Sequence, residues 1–282
     1  MSSANSAPGD DTAHFAEVTE LAGQKISPEQ LERTCNRYYW TKAFVENGDV
    51  LEAGCGAGQG LGYLAKHARS VVAGDISAEV MSRAQATYGD AIELKVFDAT
   101  SIPWTDQSFD ALLLFEAIYY LPDIDAFFNE ARRVLRPGGH LLIATANKDL
   151  YDFTPSPFSV RYYGVKELGE LCARHGFESS FWGFVDVSTV SLRQRILRPI
   201  KSMASRFGLI PKTMGGKELL KKLFFGTMVD MPASILDTRV DYVEPTPIPE
   251  ERPDTQHKVI YCAARLTDSA SARRRLRPVM EL

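Results

Sequence analysis

Between Asp49 and Ala146 short apolar runs alternate with stretches of helical spacing, a rhythm that few architectures can accommodate. Asp49–Ala53, Val71–Asp75, Ile92–Phe97, Ala111–Ala117 and His140–Ala146 read as strands. The fourth is almost continuously apolar, as a strand covered on both faces must be. Gly58–His67, Ala78–Tyr88 and Ile124–Leu135 read as helices, the last stopped by Arg136-Pro137-Gly138-Gly139. Strands alternating with helices predict a mostly parallel sheet with helices on both faces. Upstream, Ser27 can cap a helix, Pro28 suits its first position and Gln30 completes a capping box, so a helix is expected to about Val45.

Downstream, Val165–His175 reads as a helix, Phe177–Val187 as a strand, and Lys258–Leu266 as a last strand pairing at the sheet edge. About 70 residues between those two strands are too many for a simple loop and are read as an inserted helical cap. The expected organisation is a tail over 1–13 and one domain over 14–266. That domain has its core at 49–186 and 258–266, the cap at about 188–256, and a mobile tail at 267–282. A net charge of -4 gives no overall reason to expect nucleic acid. Cys35, Cys55, Cys172 and Cys262 are too scattered for a disulfide framework or a zinc site, and no metal is expected. No segment is apolar enough to span a membrane, and Met1–Asp11 has no apolar core, so a cytoplasmic location is expected.

The first strand runs into Glu52-Ala53-Gly54-Cys55-Gly56-Ala57-Gly58-Gln59-Gly60. Alternate glycines let the backbone turn sharply and approach a ligand, and the helix that follows aims its N-terminus at it. Asp75 ends the second strand, where a carboxylate can accept both hydroxyls of an adenosine ribose. Asp98 ends the third, at a height suited to an adenine amino group. Three polar stations at successive strand ends make one crevice, where open α/β sheets bind ligands. The dinucleotide fingerprint G-x-G-x-x-G is not met, because Gln59 stands where its third glycine belongs.

With Phe97-Asp98-Ala99, Ser108-Phe109-Asp110 and Arg133-Val134-Leu135-Arg136-Pro137-Gly138-Gly139 in this order, the stretch from Asp49 to Asn147 resembles the class I S-adenosylmethionine-dependent methyltransferases of the small-molecule type. The resemblance implies a Rossmann-like α/β fold with a mostly parallel seven-stranded sheet, a helical insertion between the last two strands, and S-adenosylmethionine as cofactor. It implies that the loop from Glu52 to Gly58 holds the methionine part, that Asp75 holds the ribose, and that Asp98 with Ala99 reads the adenine. Cys55, Gln59, Ile76 and Phe115 complete the expected cofactor wall beside Gly54 and Gly56.

Residues after the fourth strand are expected to face the acceptor. Glu116 is the candidate base or orienting group, with a cofactor contact or helix cap as its alternative. Tyr119 is a second candidate catalytic residue, whose ring could bind the acceptor or shield the methyl cation, with plain packing as the alternative. Tyr120, Arg161 and Tyr162 are the candidate acceptor contacts, the last two in a loop placed to act as a lid over an anionic small molecule. Tyr38, Tyr39 and Trp40 are read either as closing over the cofactor or as core. His175 and His257 are read as surface positions. The run from Arg193 to Lys222 carries nine basic residues against Glu218 alone, so 192–222 is read as a solvated helix face, a peripheral membrane contact, or a docking surface for a lipid-linked or macromolecular acceptor. Nothing here indicates the oligomeric state.

Overall fold

A computed structural model of the chain describes residue 19 and residues 21–189, 227–238 and 240–267. The expected N-terminal tail, the basic run over 192–222 and the tail beyond Thr267 therefore lie outside the described residues. The strands are β1 (Lys25–Ile26), β2 (Asp49–Ala53), β3 (Ser70–Asp75), β4 (Glu93–Val96), β5 (Phe109–Phe115), β6 (Leu135–Ala146), β7 (Phe177–Asp186), β8 (Val229–Asp230), β9 (Thr246–Ile248) and β10 (His257–Leu266). The helices are α1 (Pro28–Val45), α2 (Leu61–His67), α3 (Ala78–Tyr88), α4 (Ile124–Val134) and α5 (Val165–Arg174).

One sheet runs in the order β4-β3-β2-β5-β6-β10-β7-β9. Its first five strands are parallel, and β10 and β9 pair antiparallel with their neighbours. This is the mostly parallel seven-stranded sheet expected, with the three-residue β9 added as an eighth strand. Strand β5 shows why the pattern was so clear. Leu112 and Leu114 pack into one core layer with Phe127 and Phe128 of α4 and Leu168 and Cys172 of α5. Ala111, Leu113 and Phe115 pack into the other, with Tyr38 of α1, Leu61 and Leu64 of α2 and Met81 of α3. Helices thus cover both faces, and every side chain of β5 from Ala111 to Phe115 is buried.

Caps start the helices as their sequences require. Ser27, Ser77 and Asp123 accept from the backbone N–H of Gln30, Val80 and Ala126 at the heads of α1, α3 and α4. Helix α2 begins at Leu61, not at Gly58, because the glycines stay in the turn before it.

The expectations for the last strand and for two histidines are corrected. The last strand does not lie at the edge. Strand β10 is inserted between β6 and β7, with Tyr261 opposite both Ala144 and Trp182. Period-2 alternation gave its conformation but not its neighbours. His257 is buried, its ring against Gly183 and its Nδ1 3.1 Å from Asp254 Oδ1. His175 is mostly covered, stacked on Phe128 and bonded to Asp125. The described part of the region read as a helical cap includes two short strands. Strand β8 pairs with β1, and Ile235 N–H donates to Gln59 O, which ties this segment to the glycine turn.

Two pieces of the resembling stretch serve the far end of the sheet. Arg136 bridges Asp49 and Asp110 at 2.9 and 2.8 Å, and Arg69 joins them from β3's side. Arg69, chiefly through its hydrogen bonds, holds the Asp49 carboxyl well below the usual range. This network clamps the starts of β2, β5 and β6, away from the strand ends that form the crevice.

Candidate active site

A cavity of about 590 Å³ opens at the C-terminal ends of the parallel strands. One wall comes from the ends of β2, β3 and β4, with Gly54, Cys55, Gly56, Gln59, Asp75, Ile76, Asp98 and Ala99 on it. The facing wall is built from three separate segments. Helix α1 contributes Gln30, Arg33, Thr34, Arg37 and Tyr38, and the turn after β5 contributes Phe115, Glu116, Tyr119, Tyr120 and Pro122. The loop after β6 contributes Phe158 and Val160.

The glycine turn has the conformation its sequence requires. Gly54 and Gly56 have φ of 69° and 57°, and a Cβ at Gly54 would approach Ala117 Cβ to 3.0 Å. Asp75 is drawn over the turn, accepting from Gly56 N–H at 3.1 Å and Ser77 N–H at 3.0 Å. Burial pushes its pKa up, against the pull of those backbone bonds. Asp98 uses Oδ1 for Thr100 N–H and Oγ1, both at 2.8 Å.

Residues 51–143 match the family model described as a methyltransferase domain. A "Probable S-adenosylmethionine-dependent methyltransferase" of Mycolicibacterium smegmatis is 36% identical over 134 residues, 46% of this chain and 52% of the relative. Over residues 51–143 this is a class I S-adenosylmethionine-dependent methyltransferase domain. A fatty-acid O-methyltransferase of the same organism is 37% identical over 108 residues, 37% of this chain and 39% of that protein. The chain spans about half the length of the curated relatives it matches first. Among solved structures, one from Thermotoga maritima described as a "SAM-dependent methyltransferase, possible histamine N-methyltransferase" shares the fold. Its TM-score is 0.54 at 14% identity, covering 84% of this chain and 91% of that one.

The methyltransferase domain has the donor set its cofactor needs. Gly56 N–H and Ser77 N–H each occupy one oxygen of Asp75, leaving lone pairs for a ribose diol, and Asp98 Oδ2 has no partner among the described residues. The titratable side chains on the wall include the carboxylates Asp75, Asp98 and Glu116 against the guanidiniums Arg33 and Arg37. That excess of carboxylate suits a ligand carrying a sulfonium and an ammonium.

Not every expected residue reaches the cavity. Glu52 lies behind the wall, fully buried, with Tyr38 Oη donating to its Oε1 at 2.6 Å and its Oε2 without a hydrogen bond. Desolvation pushes its pKa up to about 7. Gly58 also stays off the wall. Its carbonyl accepts from Tyr88 Oη at 2.7 Å, so this glycine seats α3 against the turn. Tyr39 and Trp40 turn away from the cavity. Tyr39 packs on Tyr63, and Trp40 stacks on Tyr261.

On the acceptor side, Glu116 is fixed by its surroundings. Its backbone has φ of 52°, its N–H donates to Ala144 O, and Tyr119 Oη donates to its Oε2 at 3.1 Å. Arg33 and Arg37 lie 3.6 and 3.8 Å from its Oε1, ion-pair distances beyond hydrogen-bond reach. Phe158 also has a positive φ, 65°.

Arg161 and Tyr162 do not line the cavity. Arg161 is largely exposed, 3.7 Å from Glu167 and over the Tyr163 ring. Tyr162 supports the wall from behind, stacked on Tyr119 at 4.3 Å and accepting from Ser156 N–H. The loop is sewn to the turn after β5 by Val160 N–H to Tyr119 O and by Tyr120 Oη with Ser156 Oγ, each at 2.7 Å. Sequence reasoning missed Arg33 and Arg37. The available signal was the spacing of Gln30, Arg33, Thr34 and Arg37, a polar stripe on one face of a helix.

Proposed function

We propose that this chain transfers the methyl group of S-adenosylmethionine to an oxygen, nitrogen or carbon atom of a small acceptor with an apolar body. The observation that carries the reading is a single cavity that joins the Asp75 and Asp98 wall to the Glu116, Tyr119 and Tyr120 wall. In this reading Asp75 takes the ribose hydroxyls, Asp98 and Ala99 the adenine, and Gly54 and Gly56 the methionine part. When bound, the cofactor supplies an electrophilic methyl group on a sulfonium. The protein's task is then alignment and exclusion of water, and alignment alone can supply about 7–11 kcal/mol. Glu116 and Tyr119 orient the accepting atom, and Glu116 takes up a proton only where the acceptor must lose one. Four free, buried cysteines accord with a reducing cytoplasmic setting.

A second reading, a lipid or lipid-linked acceptor, is favoured by Phe158 and Val160. They line the cavity yet remain 51% and 60% exposed, an apolar threshold at its opening. The fatty-acid O-methyltransferase named above points the same way. Among the described residues no helix is long and apolar enough to cross a membrane.

Calorimetric titration with S-adenosylmethionine, S-adenosylhomocysteine and NAD tests the cofactor, and labelled methyl transfer to short- and long-chain alcohols, amines and carboxylates tests the acceptor. Binding of the first two with turnover on one of these classes is expected. Binding of NAD alone would overturn the reading. Cofactor binding without turnover on any acceptor would point to a non-catalytic module.

A further inference from the structure

An unexplained cation stands in the cavity. Arg33 lines it, yet its one ion pair among the described residues is the loose contact to Glu116, and its buried Nε has no hydrogen bond. A guanidinium presents five donors in a planar fork, and leaving buried donors unmade is costly. Arg37, one helical turn on, has a second guanidinium beside the same Glu116 oxygen.

The two arginines differ in position. Arg37 sits against the Tyr38 ring, and its charge reaches Tyr38 and Glu52, behind the glycine turn. Arg33 lies one turn nearer the start of α1 and is more exposed, with a side chain 30% accessible against 17% for Arg37. Arg37 thus faces the methionine end of the cofactor site. Arg33 is left for something else.

We propose that Arg33 is a specificity-determining residue that reads an anionic oxygen group, carboxylate or phosphate, on the acceptor. This rests on the methyltransferase reading above and narrows its acceptor to one with an anionic head and an apolar body. The head meets the Arg33 fork, with Glu116 and Tyr119 beside it, while the body passes Leu121, Phe158 and Val160 toward the opening. A guanidinium fork matched to two oxygens favours an anionic head over a neutral one of the same length. The anion expected at Arg161 from sequence is thereby assigned to α1.

The test is calorimetric titration of the protein saturated with S-adenosylhomocysteine, using decanoate, decyl phosphate and decanol as probes. Decanoate or decyl phosphate is expected to bind about tenfold or more tightly than decanol, the scale of one charge-assisted hydrogen bond. Which of the two binds better tells a carboxylate from a phosphate head. Arg33→Gln should erase the preference while leaving decanol and S-adenosylhomocysteine affinity unchanged, and Arg33→Lys should restore part of it. Equal affinity for the three probes, or no binding by any, would overturn the proposal. So would a loss of S-adenosylhomocysteine affinity in Arg33→Gln that spares methylthioadenosine, which lacks the amino-acid carboxylate, because Arg33 would then serve the cofactor. Failure of the unaltered protein to bind S-adenosylhomocysteine would instead remove the underlying methyltransferase reading.

Discussion

The two walls of the cavity are made in different ways. The wall of Gly54, Gly56, Asp75 and Asp98 is assembled from the ends of three neighbouring parallel strands within 50 residues of chain. Backbone hydrogen bonds hold it, and its polar groups are placed by strand register. The opposite wall is drawn from α1, from the turn after β5 and from the loop after β6, segments more than 100 residues apart at their extremes. Side-chain contacts hold it together, chiefly Tyr119 with Glu116 and Tyr162, and Tyr120 with Ser156. A ligand common to a family can be read by the first kind of wall. The second kind can be altered one segment at a time without disturbing the sheet, which suits an acceptor that differs between relatives.

The sharpest test of this division is Asp75→Ala. It should weaken S-adenosylhomocysteine about 100-fold or more by removing a charged acceptor of two hydroxyls, with acceptor-side probes unaffected in calorimetry. An equal loss on both sides would show that the walls are not independent.

Glu52→Gln probes what lies behind the first wall. The Glu52 carboxyl is raised from 4.5 to about 7 in the folded protein, so the unfolded chain releases its proton first as pH rises. Its contribution is present in full below pH 4.5 and is lost as pH climbs through 7. That loss approaches about 3 kcal/mol for a shift of this size. Urea unfolding at a series of pH values should show that fall in the unaltered protein and its absence in Glu52→Gln.

Tyr119→Phe should lower turnover about fivefold, the scale of one hydrogen bond, with cofactor affinity unchanged. A change in cofactor affinity instead would move Glu116 to the first wall. Val160→Ser should shift stability by no more than about 0.5 kcal/mol in thermal unfolding, since the residue is largely exposed. It should still weaken long-chain acceptors relative to short ones.

The same division governs what could be read from sequence. Gly54, Asp75 and Asp98 were legible because strand ends are short-range features, marked by local composition. Arg33 and Arg37 were not, since whether a polar stripe on α1 faces solvent or a cavity depends on where that helix docks. Arg161 misled for the same reason, a loop cation whose side chain turns to Glu167. Glu52 and Gly58 sit inside the expected motif but act from behind it, one through Tyr38 and the other through Tyr88. The position of β10 was hidden because a local pattern gives a strand's conformation and burial but not which strands flank it.

That placement of β10 has a consequence for synthesis. Strands β2 to β6 can pair with one another as soon as residue 146 has emerged. Strand β7 cannot join them, because its only route into the sheet is through β10, more than 70 residues later. During translation at about 5–20 residues per second, the nascent chain therefore carries two unpaired sheet edges for several seconds. Exposed edges of that kind invite pairing with other chains. The final ten-residue strand is the closing wedge of the sheet, and the yield of folded protein should depend on how quickly it arrives.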